Sequence, residues 1–201
     1  MNGNSMKLSF GLTITLAASF ALSACSGQST SPANFATLGE LGERLDPVID
    51  AEFEATPDTD VPTAGQATFT GVGIVELTDP DTEETTFLAV GSANISVNFD
   101  DGTVSGDAYG FYDVEDPEDV ETAADLVGNS IPGEFEVELT SIADGRNRFS
   151  GEIAGDIPQP NGQTKNADTE ALGFFSGASA DSFIVFGEAG DTTIAVVATE
   201  D

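Results

Sequence analysis

Residues 93–108, Ala-Asn-Ile-Ser-Val-Asn-Phe-Asp-Asp-Gly-Thr-Val-Ser-Gly-Asp-Ala, decide the fold of this chain. Apolar and polar residues alternate up to Phe99, which is typical of an antiparallel strand buried on one face. Asp101-Gly102 is a preferred pair for a two-residue hairpin turn. That turn would set Phe99 against Val104, and the apolar faces of the two strands would then coincide. The stretch predicts a β-hairpin with one buried face.

The same alternation continues on both sides of this hairpin. A two-residue turn at Gly190-Asp191 pairs apolar faces, and one at Ala178-Ser179 sets Phe174 against Phe183, with Leu172 on the same inner face. A two-residue turn at Asp144-Gly145 would pair apolar residues of the strand before it with polar residues of the strand after it. A three-residue turn with Gly145 in a left-handed bulge position is therefore predicted. Eight strands follow, near residues 67–77, 85–99, 103–113, 133–142, 147–157, 170–177, 182–189 and 192–199.

Eight sequential strands with short connections predict an all-β fold, an eight-stranded antiparallel up-and-down β-barrel. The inner faces mix Phe, Val and Ile with Gly, which lets strands bend and leaves room for aromatic rings. A two-sheet sandwich stays open as the alternative, because periodicity alone does not show that the last strand meets the first.

Two longer connections interrupt the strands. In the first, Asp116 can cap a helix, Pro117 suits its first position, and Gly128 ends it. This predicts one short helix across a barrel end. The second connection, residues 158–168, has Pro, Asn and Gly without periodicity and is predicted to be a loop.

The N-terminus carries a targeting signal. An apolar run from Leu8 to Ala21 ends in Leu22-Ser-Ala-Cys25, and Cys25 is the one cysteine of the chain. The run is shorter than the roughly twenty apolar residues that span a membrane, and it has the layout of a secretory signal. We expect residues 1–24 to be a signal peptide, residues 25–66 a tether with a short helix or strap, and residues 67–201 the barrel domain.

The segment before the barrel has apolar residues at helical spacing, Phe35, Leu38, Leu41 and Leu45, and Asn34 could cap that helix. A second apolar set points outward from the predicted barrel and forms a patch on three strands. Its members are Val72, Ile74, Ile184, Phe186, Ala195 and Val197. The helix would cover this patch; the alternative is a surface that binds a partner.

Composition excludes several classes of function. The formal net charge is -31, which repels nucleic acid and anionic lipid headgroups. The chain has no histidine, which excludes nucleophile–histidine pairs and histidine ligands to a metal from its own residues. We expect no cofactor and no enzyme activity. A hydrolase based on paired carboxylates is the less favoured alternative.

Two acidic clusters could offer oxygen ligands to calcium. They are Asp79, Asp81, Glu83 and Glu84 in the first hairpin, and Asp113, Glu115 and Asp116 before the predicted helix. Neither follows the spaced ligand pattern of a calcium loop. We interpret both as solvated loops and predict no metal site.

Three segments carry a family resemblance: residues 99–106, Phe-Asp-Asp-Gly-Thr-Val-Ser-Gly, residues 149–155, Phe-Ser-Gly-Glu-Ile-Ala-Gly, and residues 173–180, Gly-Phe-Phe-Ser-Gly-Ala-Ser-Ala. Together they resemble the barrel domain of transferrin-binding-protein-like bacterial lipoproteins. Ala178 stands where that family usually has Pro. Leu22 to Cys25 likewise resembles the lipobox of bacterial lipoproteins, whose cysteine receives a diacylglyceryl group and a palmitate.

This resemblance implies a lipid-anchored protein of the cell envelope, and Ser26 after the cysteine is compatible with sorting to the outer membrane. It also implies a binding module for a protein or a small ligand. Its partner-binding residues cannot be placed on this sequence. The alternative function is a structural or solubilising envelope lipoprotein without a specific ligand.

Overall fold

The computed structural model describes residues 37–49, 55–82, 84–115, 128–142, 147–177 and 179–200, with the backbone alone for 45–49. One α-helix and nine strands lie in these ranges, with a single 3-10 turn at Pro160–Gly162. They are α1 Leu38–Ile49, β1 Gln66–Thr78, β2 Thr85–Asn98, β3 Thr103–Val114, β4 Gly128–Ser130, β5 Glu134–Ser141, β6 Phe149–Gln159, β7 Gln163–Ser176, β8 Ser182–Ala189 and β9 Thr192–Glu200.

The sheet closes into a barrel because its first and last strands pair. Val75 of β1 lies opposite Ile194 of β9, and the antiparallel ladder runs from Phe69 to Leu77. The strand order is β2-β1-β9-β8-β7-β6-β5-β3, and β2 also pairs with β3. The predicted eight-stranded up-and-down barrel is confirmed, and the sandwich is excluded. The short strand β4 pairs with the end of β3 and lies outside the barrel.

The barrel interior is filled with phenylalanine rings and aliphatic side chains. Phe69, Phe111, Phe135, Phe175 and Phe183 are fully buried. The ring centroids of Phe175 and Phe183 lie 4.8 Å apart in an edge-on arrangement. Such ring pairs contribute about 0.5–1.5 kcal/mol beyond the area that they bury.

Glycines let neighbouring strands approach each other closely. A Cβ at Gly151 of β6 would overlap the carbonyl oxygen of Glu138 and lie 2.8 Å from the Cα of Leu139, both on β5. A Cβ at Gly71 would overlap the carbonyl oxygen of Val197 in β9 in the same way. These two positions therefore require the absence of a side chain.

Two of the predicted turns have the expected register. Val185 pairs with Val196 and Gly187 with Ile194, as the turn at Gly190-Asp191 requires. Leu139 pairs with Gly151, which fits the odd-length connection predicted between β5 and β6. The conformation of Gly145 itself lies outside the described residues.

The turn between β2 and β3 is longer than predicted. Asn98 pairs with Thr103, so residues 99–102 form a four-residue turn, and Val97 rather than Phe99 lies opposite Val104. The Asn98 side chain stabilises this turn, because its Oδ1 accepts the N–H of Asp100 at 3.0 Å. The N–H of Phe99 meanwhile donates to the carbonyl of Gly65 at 2.9 Å. The observed register differs from the predicted one by two residues. Because side chains alternate with a period of two, the residues that face the interior remain as predicted.

The face assigned to β7 is wrong by one residue. Phe175, not Phe174, pairs with Phe183, and Gly173 pairs with Val185. Leu172 therefore points outward and is 46 % exposed. Five apolar or small residues follow one another at 171–175, so alternation did not decide the face. The register between β7 and β8 is set instead by the five-residue connection that joins them. This connection begins at Gly177, whose φ is +92°.

The predicted loop at 158–168 is also wrong. Strand β6 continues to Gln159 and β7 begins at Gln163, so these residues form a hairpin around a turn at 160–162. Asn161 and Gly162 take positive φ angles of 65° and 67°, which closes the turn. Most of β7 between 163 and 170 is exposed, which explains why no apolar alternation marks it. The helix predicted from Asp116 lies outside the described residues.

Helix α1 begins with a capping box. The N–H of Thr37 donates to Glu40 Oε2 at 2.7 Å, and the N–H of Glu40 donates to Thr37 Oγ1 at 3.3 Å. The N–H and the hydroxyl of Thr37 both donate to Glu40 Oε2, and these two hydrogen bonds lower the pKa of Glu40 because they favour its charged form. The sequence analysis placed the cap at Asn34, which lies outside the described residues, and overlooked the Thr37–Glu40 spacing.

The helix covers part of the outer apolar patch, as predicted. Leu41 is fully buried and packs in a cluster with Val72, Ile74 and Ala195. Ile184 and Val197 are each only 2 % exposed, so they also lie away from solvent. In the described part of the chain no helix is long and apolar enough to cross a membrane.

Candidate functional site: a cleft at one end of the barrel

A strap of residues 55–65 crosses the end of the barrel at which β1 begins and β9 ends. Ala55 forms an antiparallel bridge with Ser176, the last residue of β7. The N–H of Thr56 donates to the carbonyl of Phe175 at 2.9 Å, and Thr56 Oγ1 donates to the carbonyl of Gly177 at 2.7 Å. The first residues of the strap are thus fixed to the rim of the barrel.

Asn147 holds the strap and β7 together from the start of β6. Its Nδ2 donates to the carbonyl of Thr56 at 2.7 Å and to that of Phe175 at 2.8 Å. Its backbone N–H donates to Asp58 Oδ1 at 3.0 Å. The side chain is buried, and its polar atoms bond to the backbone of two separate segments. A buried and satisfied amide of this kind fixes one arrangement of the segments around it.

The strap then enters the barrel with a single apolar side chain. Val61 is 4 % exposed and belongs to the main interior core. Asp58 and Thr59 lie before it and Pro62 and Thr63 after it, so the strap is anchored at Thr56 and at Val61.

An open cleft of about 620 Å³ lies between the strap and two hairpin ends. This volume is within the range of about 300–1,000 Å³ that is typical of ligand sites. The lining residues come from the strap, the β2–β3 turn and the β5–β6 connection. They are Asp58, Thr59, Val61, Pro62, Thr63, Val97, Asn98, Phe99, Gly102, Ser141, Ile142 and Phe149.

The floor of the cleft is aromatic and rests on the interior core. The rings of Phe99 and Phe149 each lie 5.6 Å from the ring of Phe175, one stacked and one edge-on. Because Phe175 is fully buried, these rings are supported from below. Ile142 lies beside them and is 37 % exposed, which is unusual for a large apolar side chain of this barrel. The arrangement offers an apolar surface at a fixed place.

Asp58 lines the cleft, and further acidic residues lie on the segments that border its apolar floor. Asp58 and Asp60 lie on the strap, and Asp100 and Asp101 lie in the β2–β3 turn. Asp58 accepts the N–H of Asn147, and Asp101 Oδ2 accepts Asn98 Nδ2 at 2.8 Å. Arg148 follows Asn147 and precedes Phe149, both of which are buried, so strand alternation places Arg148 on the outer face.

A second group of carboxylates lies at the opposite end of the barrel, beside β4. Asp113 pairs with Asn129, and Asn129 Nδ2 donates to Glu115 Oε1 at 3.0 Å. Partial burial raises the pKa of Asp113, and the nearby charge of Glu115 raises it further. Among the described residues no group of three or more His, Cys, Asp or Glu is placed to hold a metal ion.

The other residues singled out in the sequence are placed as follows. Asp79 Oδ1 accepts the N–H groups of Asp81 and Thr82, so it stabilises the β1–β2 turn. Cys25, Glu83 and Asp116 lie outside the described residues. The sequence predicted a tether with a short helix or strap within residues 25–66 but gave no role to Asn147, since a lone Asn that bonds to Thr56 across 91 positions has no local signal.

No protein-family model matches this chain, and no curated protein matches it. Solved structures do match. A mutant of transferrin-binding protein B from Haemophilus parasuis is 16 % identical, with a TM-score of 0.49 over 74 % of this chain and 29 % of its own. Transferrin-binding protein B from Neisseria meningitidis is 18 % identical, with a TM-score of 0.44 over 73 % of this chain and 28 % of its own.

The N-lobe of lactoferrin-binding protein B from Moraxella bovis is 15 % identical, with a TM-score of 0.40 over 70 % of this chain and 61 % of its own. The chain spans less than a third of the length of the transferrin-binding proteins that it matches. These matches belong to the transferrin-binding-protein-like barrels that the sequence resembles.

Proposed function

We propose that this chain is a binding module for a protein or a small ligand and that the cleft at the strap end is its binding site. One observation carries the proposal: Ile142 and the rings of Phe99 and Phe149 form an apolar floor that the core supports, inside an open cleft of about 620 Å³. Because phenylalanine rings fill the barrel interior, a ligand has room at the rim rather than inside.

The strap that borders this site is fixed to the barrel at two places. Asn147 and Thr56 fix the strap by hydrogen bonds, and Val61 fixes it by burial. A site that is ordered before binding loses less conformational entropy when a ligand arrives. The cleft therefore suits recognition and requires no catalytic group.

A thiol-protection experiment tests this proposal. Ile142→Cys and Leu172→Cys are each made in the full chain with Cys25→Ala, so that each variant carries one thiol at an exposed apolar position. Candidate proteins and a library of small molecules are then screened for saturable binding. The proposal expects a binder that slows labelling at position 142 and leaves position 172 unchanged. Equal protection at both positions, or no saturable binder at micromolar concentration, would refute it.

We further propose that the chain is lipid-anchored at Cys25 in the cell envelope, with residues 1–24 removed and residues 25–66 joining the anchor to the barrel. The order of apolar run, Leu-Ser-Ala-Cys and small polar residues supports this. Growth with labelled palmitate tests it. The wild-type chain should incorporate the label and Cys25→Ser should not; equal labelling of both would contradict lipidation.

A solubilising role without a specific ligand is the second candidate function. Glu138, Glu152 and Glu170 lie side by side on adjacent strands of the outer face. Like charges in directly opposed positions destabilise a sheet, so this row favours solubility over stability. Replacing all three by Gln should then raise stability and lower solubility, whereas binding at the cleft should not change.

A further inference from the structure

We propose that the cleft binds a basic protein segment that inserts one large apolar side chain, preferably aromatic, between flanking Lys or Arg residues. This inference rests on the proposed function and specifies its partner by chemistry. Two properties of the cleft carry it: an apolar floor beside an amide and a carboxylate, Asn98 and Asp58, that are already hydrogen-bonded within the protein, and an acidic border.

Two polar side chains of the cleft, Asn98 and Asp58, are engaged within the protein. Asn98 bonds to Asp101 and to the backbone of the β2–β3 turn, and Asp58 bonds to the N–H of Asn147. A polar small molecule needs a few convergent polar groups to fix its orientation. An apolar anchor needs instead a supported hydrophobic pocket, which Phe99, Phe149 and Ile142 provide.

The charged residues at the border of the cleft favour a partner whose apolar anchor is flanked by basic residues. Two described segments that border it, residues 55–65 and 99–102, contain four Asp and no Lys or Arg, a net charge of -4. Asp60 and Asp100 are exposed, so they can face the charges of a partner. Complementary charges at the rim of an interface raise the rate of encounter and reject partners of the wrong sign.

The cleft of about 620 Å³ has room for a large side chain together with the segment that carries it. Aromatic anchors dominate protein interfaces because they bury a large area with few rotatable bonds. An acidic partner would meet like charge at the border. A basic partner with a small apolar residue would leave the floor unfilled.

The test uses the full chain and synthetic seven-residue peptides. Each peptide has a central tryptophan flanked on both sides by Lys, by Glu or by Ser. The protein contains no tryptophan, so the fluorescence of the peptide alone reports binding. The Lys peptide should bind at least about tenfold more tightly than the Glu peptide at low salt, and the difference should shrink as salt rises.

Two variants locate the site and two matched variants control for it. Ile142→Asp should weaken binding of the Lys peptide about tenfold, and D60N with D100N should weaken it about threefold or more. Leu172→Asp and E152Q with E170Q alter an exposed apolar residue and two carboxylates of the outer face, and should change the affinity less than twofold. Ile142→Ser serves in place of Ile142→Asp if the latter does not fold.

The outcomes separate this inference from the proposed function. Equal binding of the three peptides with loss in Ile142→Asp would overturn the basic partner and keep the cleft as a binding site. Equal effects of Ile142→Asp and Leu172→Asp, or loss confined to E152Q with E170Q, would overturn both. Absence of saturable binding by the Lys peptide would overturn the inference and leave the proposed function to the thiol-protection experiment.

Discussion

The side chain of Asn147 pairs with the backbone of Phe175 as a neighbouring strand would. Its Oδ1 accepts the N–H of Phe175 at 2.5 Å, and its Nδ2 donates to the carbonyl of the same residue at 2.8 Å. Because Nδ2 also donates to Thr56, one buried amide joins β6, β7 and the strap. The shape of the cleft depends on this junction.

Replacing Asn147 by Ala should lower the free energy of unfolding by about 2–4 kcal/mol, because the buried N–H of Phe175 and the carbonyl of Thr56 lose their partner. Unfolding in urea, followed by far-ultraviolet circular dichroism, measures the change. Asn166→Ala is the control: Asn166 is exposed, its Nδ2 lies 3.4 Å from the carbonyl of Gly155, and its loss should cost less than about 0.5 kcal/mol. Equal losses in the two variants would show that the junction does not hold the strap.

Two glycines of contrasting surroundings should respond oppositely to the same change. Gly151→Ala should destabilise the barrel by about 1–3 kcal/mol, since the new methyl group overlaps the backbone of β5. Gly39→Ala, in helix α1 with open space around it, should stabilise the protein by about 0.5–1 kcal/mol. Thermal unfolding of both variants provides the comparison. A neutral Gly151→Ala would mean that β5 and β6 are not so close.

The pKa of Asp113 predicts a pH dependence of stability. Its folded value lies above its ordinary value of 3.8, so the folded state holds this proton more tightly than the unfolded state. Stability from this group is therefore present below pH 3.8 and declines as pH rises through the folded pKa. Asp113→Asn should be more stable than the wild type at pH 7, and the two should converge at low pH. Urea unfolding across this range measures the difference, and a destabilised Asp113→Asn at pH 7 would contradict the assignment.

Helix α1 should contribute to the stability of the barrel through Leu41. Leu41→Ala removes a fully buried side chain from the cluster with Val72 and Ile74, and should lower the free energy of unfolding by about 2–4 kcal/mol. Leu172→Ala, at an exposed position, should change it by less than about 0.5 kcal/mol. Unchanged thermal stability in Leu41→Ala would show that helix α1 does not stabilise the barrel by covering its outer apolar patch.

Most of the barrel could be predicted because one period, two residues, determines which side chains face inward. The prediction failed in stretches where inward-facing and outward-facing residues do not differ in polarity. Residues 171–175 are all apolar or small, so the face of β7 was decided by the length of the connection after it. Most side chains of β7 from 163 to 170 are exposed, so this part of the β6–β7 hairpin carries no apolar alternation. Asn98 changed the β2–β3 turn through a side-chain hydrogen bond that spacing does not reveal.

The candidate site was harder to predict than the fold. Its floor comes from Phe99, Ile142 and Phe149, which the sequence marks as ordinary strand or turn residues. Their meeting depends on barrel closure and on the strap, which the sequence marks only as an acidic, Pro-containing segment. The hydrogen bonds of Asn147 connect positions 28 and 91 residues away, and nothing local indicates them.

The most direct test of binding at the strap end is an amide-resolved nuclear magnetic resonance titration of the full chain with the Lys-flanked tryptophan peptide. The account predicts saturable shift changes concentrated in residues 58–63, 97–102, 141–142 and 147–149, with the outer face of β5–β7 unchanged. Changes concentrated at Glu138, Glu152 and Glu170, without changes at Ile142 and Phe149, would contradict it.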